Sequence, residues 1–115
     1  MPKTILLVDD EPLLLSIFRR HLMKQGFAVL TAVNAIEALD MFNDHASIIH
    51  TIVVDIHLPG ELCGWDVVNQ VQSSDFSPKV VCISGEAKPL STPEIHAFLL
   101  KPFRVQQLVE LIQIL

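Results

Sequence analysis

Five polar side chains carry the chemistry this chain offers, and each stands at the end of an apolar run. LLVDDEP turns acidic at Asp9 and Asp10, IVVDIHLPG at Asp55, VVCISGE reaches a hydroxyl at Ser84, and FLLKPF reaches an ammonium at Lys101. Brought together, three carboxylates and one lysine leave a local charge of about -2, which is unfavourable unless a cation joins them. No cysteine or histidine stands at metal-ligand spacing, so the donors are oxygens and the ion a hard one. Magnesium binds through one or two carboxylates and keeps its other positions for water and phosphate. That donor set points to phosphoryl chemistry, which is catalysed by in-line positioning and by neutralising charge on the equatorial oxygens. A carboxylate serves as the nucleophile in such transfers, giving an aspartyl phosphate. Asp55 is the candidate.

The elements that must hold these residues can be read from the apolar periodicity. Short runs rich in branched residues at Ile5 to Val8, Phe27 to Thr31, Ile49 to Val54, Lys79 to Ile83 and Ala97 to Leu100 predict five buried strands. Between them helical spacing recurs, in Leu14, Phe18 and Leu22, in Ile36, Leu39 and Phe42, in Gly64, Val68 and Val71, and in Val105, Leu108, Val109 and Ile112. Continuous apolar strands alternating with helices imply an α/β domain with a parallel sheet covered on both faces. Ligands of such sheets bind at the carboxyl ends of the strands, where the five polar residues fall. Pro12 suits a first helical turn, Asn34 followed by Glu37 has the form of a capping box, and Gly26 suits a helix end. The stretch GEAKPLSTPEIH, with two prolines and no helical stripe, predicts a fourth crossover with at most one turn of helix.

The chain has 115 residues, half of them hydrophobic, with 18% charged and a net charge of -5. This is enough for one domain with a real core and too apolar for disorder. No apolar run approaches the roughly 18 residues of a spanning helix, and MPKTILLVDDEP lacks the form of a secretory signal. Two cysteines, Cys63 and Cys82, make no disulfide framework, and the simplest location is a reducing cytoplasm. Scattered bases in an acidic chain argue against direct nucleic-acid binding.

In these motifs and their order the chain resembles the receiver domains of two-component response regulators, over nearly its whole length. The resemblance implies a flavodoxin-like, doubly wound five-stranded parallel sheet of order 2-1-3-4-5 over residues 1–115, here with a shortened fourth helix. It implies a signalling domain, not a separate enzyme, that promotes its own Mg2+-dependent phosphorylation and dephosphorylation. Asp55 corresponds to the phosphoacceptor, Asp10 to a direct magnesium ligand, Asp9 to an acid that holds the metal chiefly through water, and the backbone carbonyl of His57 to a further ligand. Ser84 and Lys101 correspond to the hydroxyl and lysine that contact the phosphoryl group, and Ser84 with Phe98 to the switch pair. The Lys101 to Pro102 bond is expected to be cis. The implied partners are a sensor histidine kinase or phosphotransfer protein and a downstream protein or linked output domain, with no membrane insertion.

Two departures stand out. The loop from Asp55 to Gly64 is one residue longer than the common form, with room to bring Glu61 or Leu62 over the site. The spacing from Ser84 to Lys101 is short by a helical turn or more, so an atypical output face is expected, involving the first helix or the fourth crossover. The ending ELIQIL, without a polar tail, suits a domain taken from a longer regulator.

Each residue also has an ordinary reading. Asp9 to Glu11 suit a solvated helix start, Ser84 a turn and Lys101 a loop. The set, at four strand ends, decides against them. His57 is either a base in dephosphorylation or a plain surface imidazole, the other histidines have no assigned role, and Trp65 is expected to pack. A flavin carrier would need a phosphate-binding loop where Asp9, Asp10 and Glu11 stand. A phosphatase using an aspartate nucleophile would need a second acid where His57 stands. The remaining alternative is a phosphorylation-independent docking module of the same fold.

Overall fold

The computed structural model describes residues 2–115. Strands β1 (Thr4–Val8), β2 (Ala28–Ala32), β3 (Ile49–Asp55), β4 (Lys79–Ser84) and β5 (Ala97–Leu100) form one parallel sheet of order β2-β1-β3-β4-β5. Helices α1 (Pro12–Lys24), α2 (Ala35–His45), α3 (Gly64–Gln72) and α4 (Val105–Ile114) cover it on both sides. Consecutive residues of a strand point to opposite faces, so a strand covered twice must be apolar throughout. In β1, Ile5 and Leu7 join Val53, Val81 and Ile83 beneath α1 and α4. Leu6 and Val8 join Ile52, Val54, Val80 and Cys82 beneath α2 and α3. Burial of Cys82 pushes its thiol pKa up to about 12, which makes it an inert core residue. Cys63 lies in the loop before α3, and Trp65 packs on the α2 and α3 side.

The chain's punctuation acts where the sequence places it. Pro12 opens α1, and the Asn34 side chain accepts the Glu37 N–H at 2.8 Å at the start of α2. After α1, Gly26 takes φ +92°, and the Phe27 N–H returns to the Leu22 carbonyl at 3.1 Å, a left-handed closure that glycine accepts without strain. Among the described residues no helix is long and apolar enough to cross a membrane.

The expected limit of one helical turn in the fourth crossover is met, with no helix at all from Gly85 to His96, so α4 is the element after β5. Pro89 and Pro93 each lack an N–H and disfavour helical geometry at Lys88 and Thr92 before them. The core face of α2 is Ala35, Ala38 and Phe42, while Ile36 is 63% exposed and Leu39 only partly buried; small residues let this helix approach the sheet. In α1 the buried set includes Leu15, with Leu14 only partly covered. Strand β2 also starts one residue later than expected and, at the sheet edge, buries fully only Ala32.

At Gly64 the first turn of α3 presses on the strand that carries Asp55. A Cβ there would overlap the Asp55 carbonyl oxygen and the Ile56 Cα, whereas one at Gly85 would meet nothing within 4 Å. Gly64→Ala is therefore expected to lower stability by about 3 kcal/mol and Gly85→Ala by less than about 1 kcal/mol, as read by urea unfolding. Equal losses would contradict this packing.

Candidate functional site

The carboxyl ends of β1, β3, β4 and the chain just past β5 meet at one crevice. Asp9 follows β1, Asp55 is the last residue of β3, Ser84 the last of β4, and Lys101 follows β5. Backbone bonds align these ends: the Ile56 N–H donates to the Ile83 carbonyl at 3.0 Å and the Lys101 N–H to the Ser84 carbonyl at 2.7 Å. The Lys101–Pro102 peptide is cis, as expected.

Lys101 Nζ donates to Asp55 Oδ2 at 2.9 Å and to Asp9 Oδ2 at 3.2 Å. The other oxygen of each carboxylate accepts a backbone N–H two residues on, Asp9 Oδ1 from Glu11 at 3.0 Å and Asp55 Oδ1 from His57 at 2.9 Å. Both acids are buried, at 1% and 4% exposure, and neither lacks a partner. Exposed Asp10 completes the group, since Asp9, Asp10 and Asp55 each offer an oxygen within 4.8 Å of the others. An all-oxygen set of this kind suits a hard divalent ion, because dense negative charge otherwise has only Lys101 to balance it.

The electrostatics are asymmetric. Burial, the largest influence, raises the pKa of Asp9 above the usual carboxylate value with help from the nearby Asp55 charge; the Glu11 N–H and Lys101 oppose it without cancelling it. For Lys101 the largest single influence is again burial, which favours the neutral amine. The hydrogen bonds and charges of Asp55 and Asp9 together outweigh it and leave its pKa raised. The ammonium sits nearer solvent than the acids, and its two partners together outweigh the desolvation it does suffer.

Residues 5–113 match the response regulator receiver domain family. The chain belongs to that family. It is 26% identical over 120 residues to the polar-differentiation response regulator DivK of Brucella anthropi, spanning 98% of this chain and 95% of DivK. A response regulator receiver protein from Sinorhizobium medicae has a crystal structure with a TM-score of 0.87 at 32% identity, over 97% of this chain and 92% of that one. The response regulator TrrA of Thermotoga maritima, solved in complex with Mg2+-BeF, superposes with a TM-score of 0.84 at 26% identity, over 96% of each chain. Rice two-component response regulators that it also matches are much longer, and the chain spans 15% to 16% of their length. The fold and the receiver class expected from the motifs are thus both met.

Within this receiver, the expected site residues are not equally engaged. Asp9, Asp55 and Lys101 are bonded to one another, and Asp10 adjoins them. The hydroxyl of buried Ser84 makes no hydrogen bond to them, its Oγ accepting the Glu86 N–H at 3.0 Å. Phe98 is half-buried on β5, paired with Cys82 and packed on the α2 and α3 core. His57 is exposed, its Nε2 3.8 Å from the Glu86 carboxylate. Glu86 was given no role from the sequence; its signal was only an acid two places beyond the end of β4. Glu61 lies with Pro59 and Gly60 against Asn34 and Ile36 at the start of α2, and Leu62 packs on the core.

Lys101→Met removes the ammonium that the two buried acids share. It is expected to cost about 2 kcal/mol at neutral pH, below the range for a fully enclosed pair because Nζ reaches solvent. Without Lys101 the Asp9 carboxyl rises further above its unfolded value. A raised carboxyl stabilises the fold while protonated and loses that contribution as pH climbs through the folded pKa. Thermal unfolding of the variant should therefore show higher stability near pH 5 than near pH 7.5, relative to the parent; a loss independent of pH would contradict the shared-charge account.

Proposed function

We propose that this receiver takes a phosphoryl group from the phosphohistidine of a sensor histidine kinase or phosphotransfer protein onto Asp55. The observation that carries the reading is the contact of Lys101 with both buried acids beside exposed Asp10. In the transfer an oxygen of Asp55 supplies the electron pair for the new O–P bond, and the P–N electron pair returns to the donor imidazole. The His57 N–H holds one Asp55 oxygen and Lys101 the other, so the carboxylate is oriented before the donor arrives. Lys101, with three N–H donors, has one to spare for a phosphoryl oxygen. The Ser84 hydroxyl uses a lone pair on Glu86 and keeps its proton free to donate.

Asp10, Asp55 and the His57 carbonyl would hold Mg2+ directly, with Asp9 chiefly through water. When bound, the ion supplies charge neutralisation at the phosphoryl oxygens. The domain thereby promotes its own phosphorylation and dephosphorylation, and the natural setting is the cytoplasm, where such donors are made. Signalling follows if Ser84 moves to the phosphoryl group and Phe98 follows it inward. Phe98 has no hydroxyl, so the response runs on packing and biases two arrangements of β5 and the crossover. Leu90 of the crossover and Leu100 of β5, both exposed, give the output face apolar contacts for a downstream protein or linked domain. A docking role independent of phosphorylation has no observation in its favour.

Incubation with phosphoramidate and Mg2+ should add about 80 Da in intact mass. Asp55→Ala or a chelator should abolish the adduct, and its absence with every donor would overturn the proposal. Separately, Mg2+ at about a hundred times its Kd should stabilise the fold by about 2.7 kcal/mol in thermal unfolding. Asp10→Ala should remove that gain while changing metal-free stability by less than about 0.5 kcal/mol.

A further inference from the structure

The first rung between β4 and β5 is made by a side chain where a parallel ladder would use the backbone. Val80 turns its carbonyl and N–H towards the incoming strand. The carbonyl accepts the His96 N–H at 2.9 Å. In regular parallel pairing the Val80 N–H would then go to the carbonyl two residues before His96, that of Glu94. The Glu94 carbonyl instead accepts from the Gln72 side chain of α3. The Val80 N–H donates to His96 Nδ1 at 3.0 Å. Val80 is fully buried, so this N–H cannot turn to water if the imidazole withdraws.

An N–H donor facing Nδ1 requires a lone pair there, so the ring is held as the neutral tautomer with its proton on Nε2. We infer that His96 is a proton-operated latch on the start of β5: neutral, it completes the ladder; protonated, it has no acceptor to offer and releases the strand. The segment set free is the one without a helix to anchor it, Gly85 to Ile95, together with the beginning of the strand that carries Phe98 and leads to Lys101.

The surroundings suit a latch that responds to solvent. His96 is exposed, in a groove of about 370 Å³ lined by Gln72 of α3, Ser77 and Pro78 of the loop before β4, and Glu94 and Ile95 of its own segment. The charged groups around it are Glu94, within that lining, and Lys79, which precedes Val80 on β4; α3 contributes only the neutral Gln72. His50 of β3 lies with Lys79 in the adjoining groove. Burial, then the charges of Lys3 and Lys79, lower the His50 pKa, so His50 favours the neutral form where the sheet begins.

Amide exchange followed by NMR on the whole chain tests this, with Leu6 of β1 as the reference for global opening. Between about pH 8 and about pH 5, the protection factor of the Val80 amide should fall about tenfold relative to that of Leu6. His96→Asn places an amide oxygen near the Nδ1 position and should hold the ratio within about twofold across the range. His96→Leu, with no acceptor, should show the low ratio at both ends. Loss of protection at Val80 and Leu6 together, no loss at either, or a His96→Asn variant that tracks the parent would each overturn the latch.

Discussion

Two carboxylates buried at the carboxyl edge of a parallel sheet, with one ammonium between them, set the terms for much of this molecule. Asp9 and Asp55 come from adjacent strands, β1 and β3, so their approach is a consequence of strand order. Lys101 comes from beyond the sheet edge and reaches across β4 to meet them. Burial works against the Asp9 charge, and the backbone N–H of Glu11 with Lys101 compensates only in part. A site with this residual charge is prepared for a cation and for groups that a cation can bridge. The hydrophobic strands bring the acids together, and the acids concentrate negative charge at the edge of the sheet.

Much of this was legible in the sequence, for a physical reason. Strands covered on both faces must be apolar at every position, so they appear as unbroken runs, and a polar residue ending such a run marks the strand's exit from the core. Asp9, Asp55, Ser84 and Lys101 were all visible in that way. Helix faces were less legible. In α2 the large residue Ile36 looked like core, yet the sheet selected Ala35 and Ala38 because close approach outweighs side-chain size. The path of the loop holding Glu61 depends on Leu62 finding the core, which no local pattern announces. His96 was passed over because its role exists only against Val80, sixteen residues earlier.

The fourth crossover divides the sheet into a well-covered part and a thinly covered one. On one side α1 and α4 bury Val81 and Ile83; on the other, α2 and α3 bury Val80 and Cys82, and the crossover that leads into β5 brings no helix. Leu100 is half exposed as a result, and Phe98 is only partly enclosed. The strand that leads to the shared lysine is thus the least firmly held of the five, which is where a receiver has most freedom to answer events at its acids.

The double coverage of β1 has a further consequence. Alternation of apolar and polar residues normally penalises a strand that shifts by one, since every side chain would change faces. In Ile5 to Val8 that penalty is small, because both faces are apolar and each accepts a branched residue. The error signal lies at the end of the strand. A shift of one would exchange buried Asp9 with exposed Asp10, parting Lys101 and the Glu11 N–H from the carboxylate they now hold. The polar cluster therefore acts as the index mark that tells an otherwise uniform strand where to stop, and its chemistry and its proofreading rest on the same two adjacent acids.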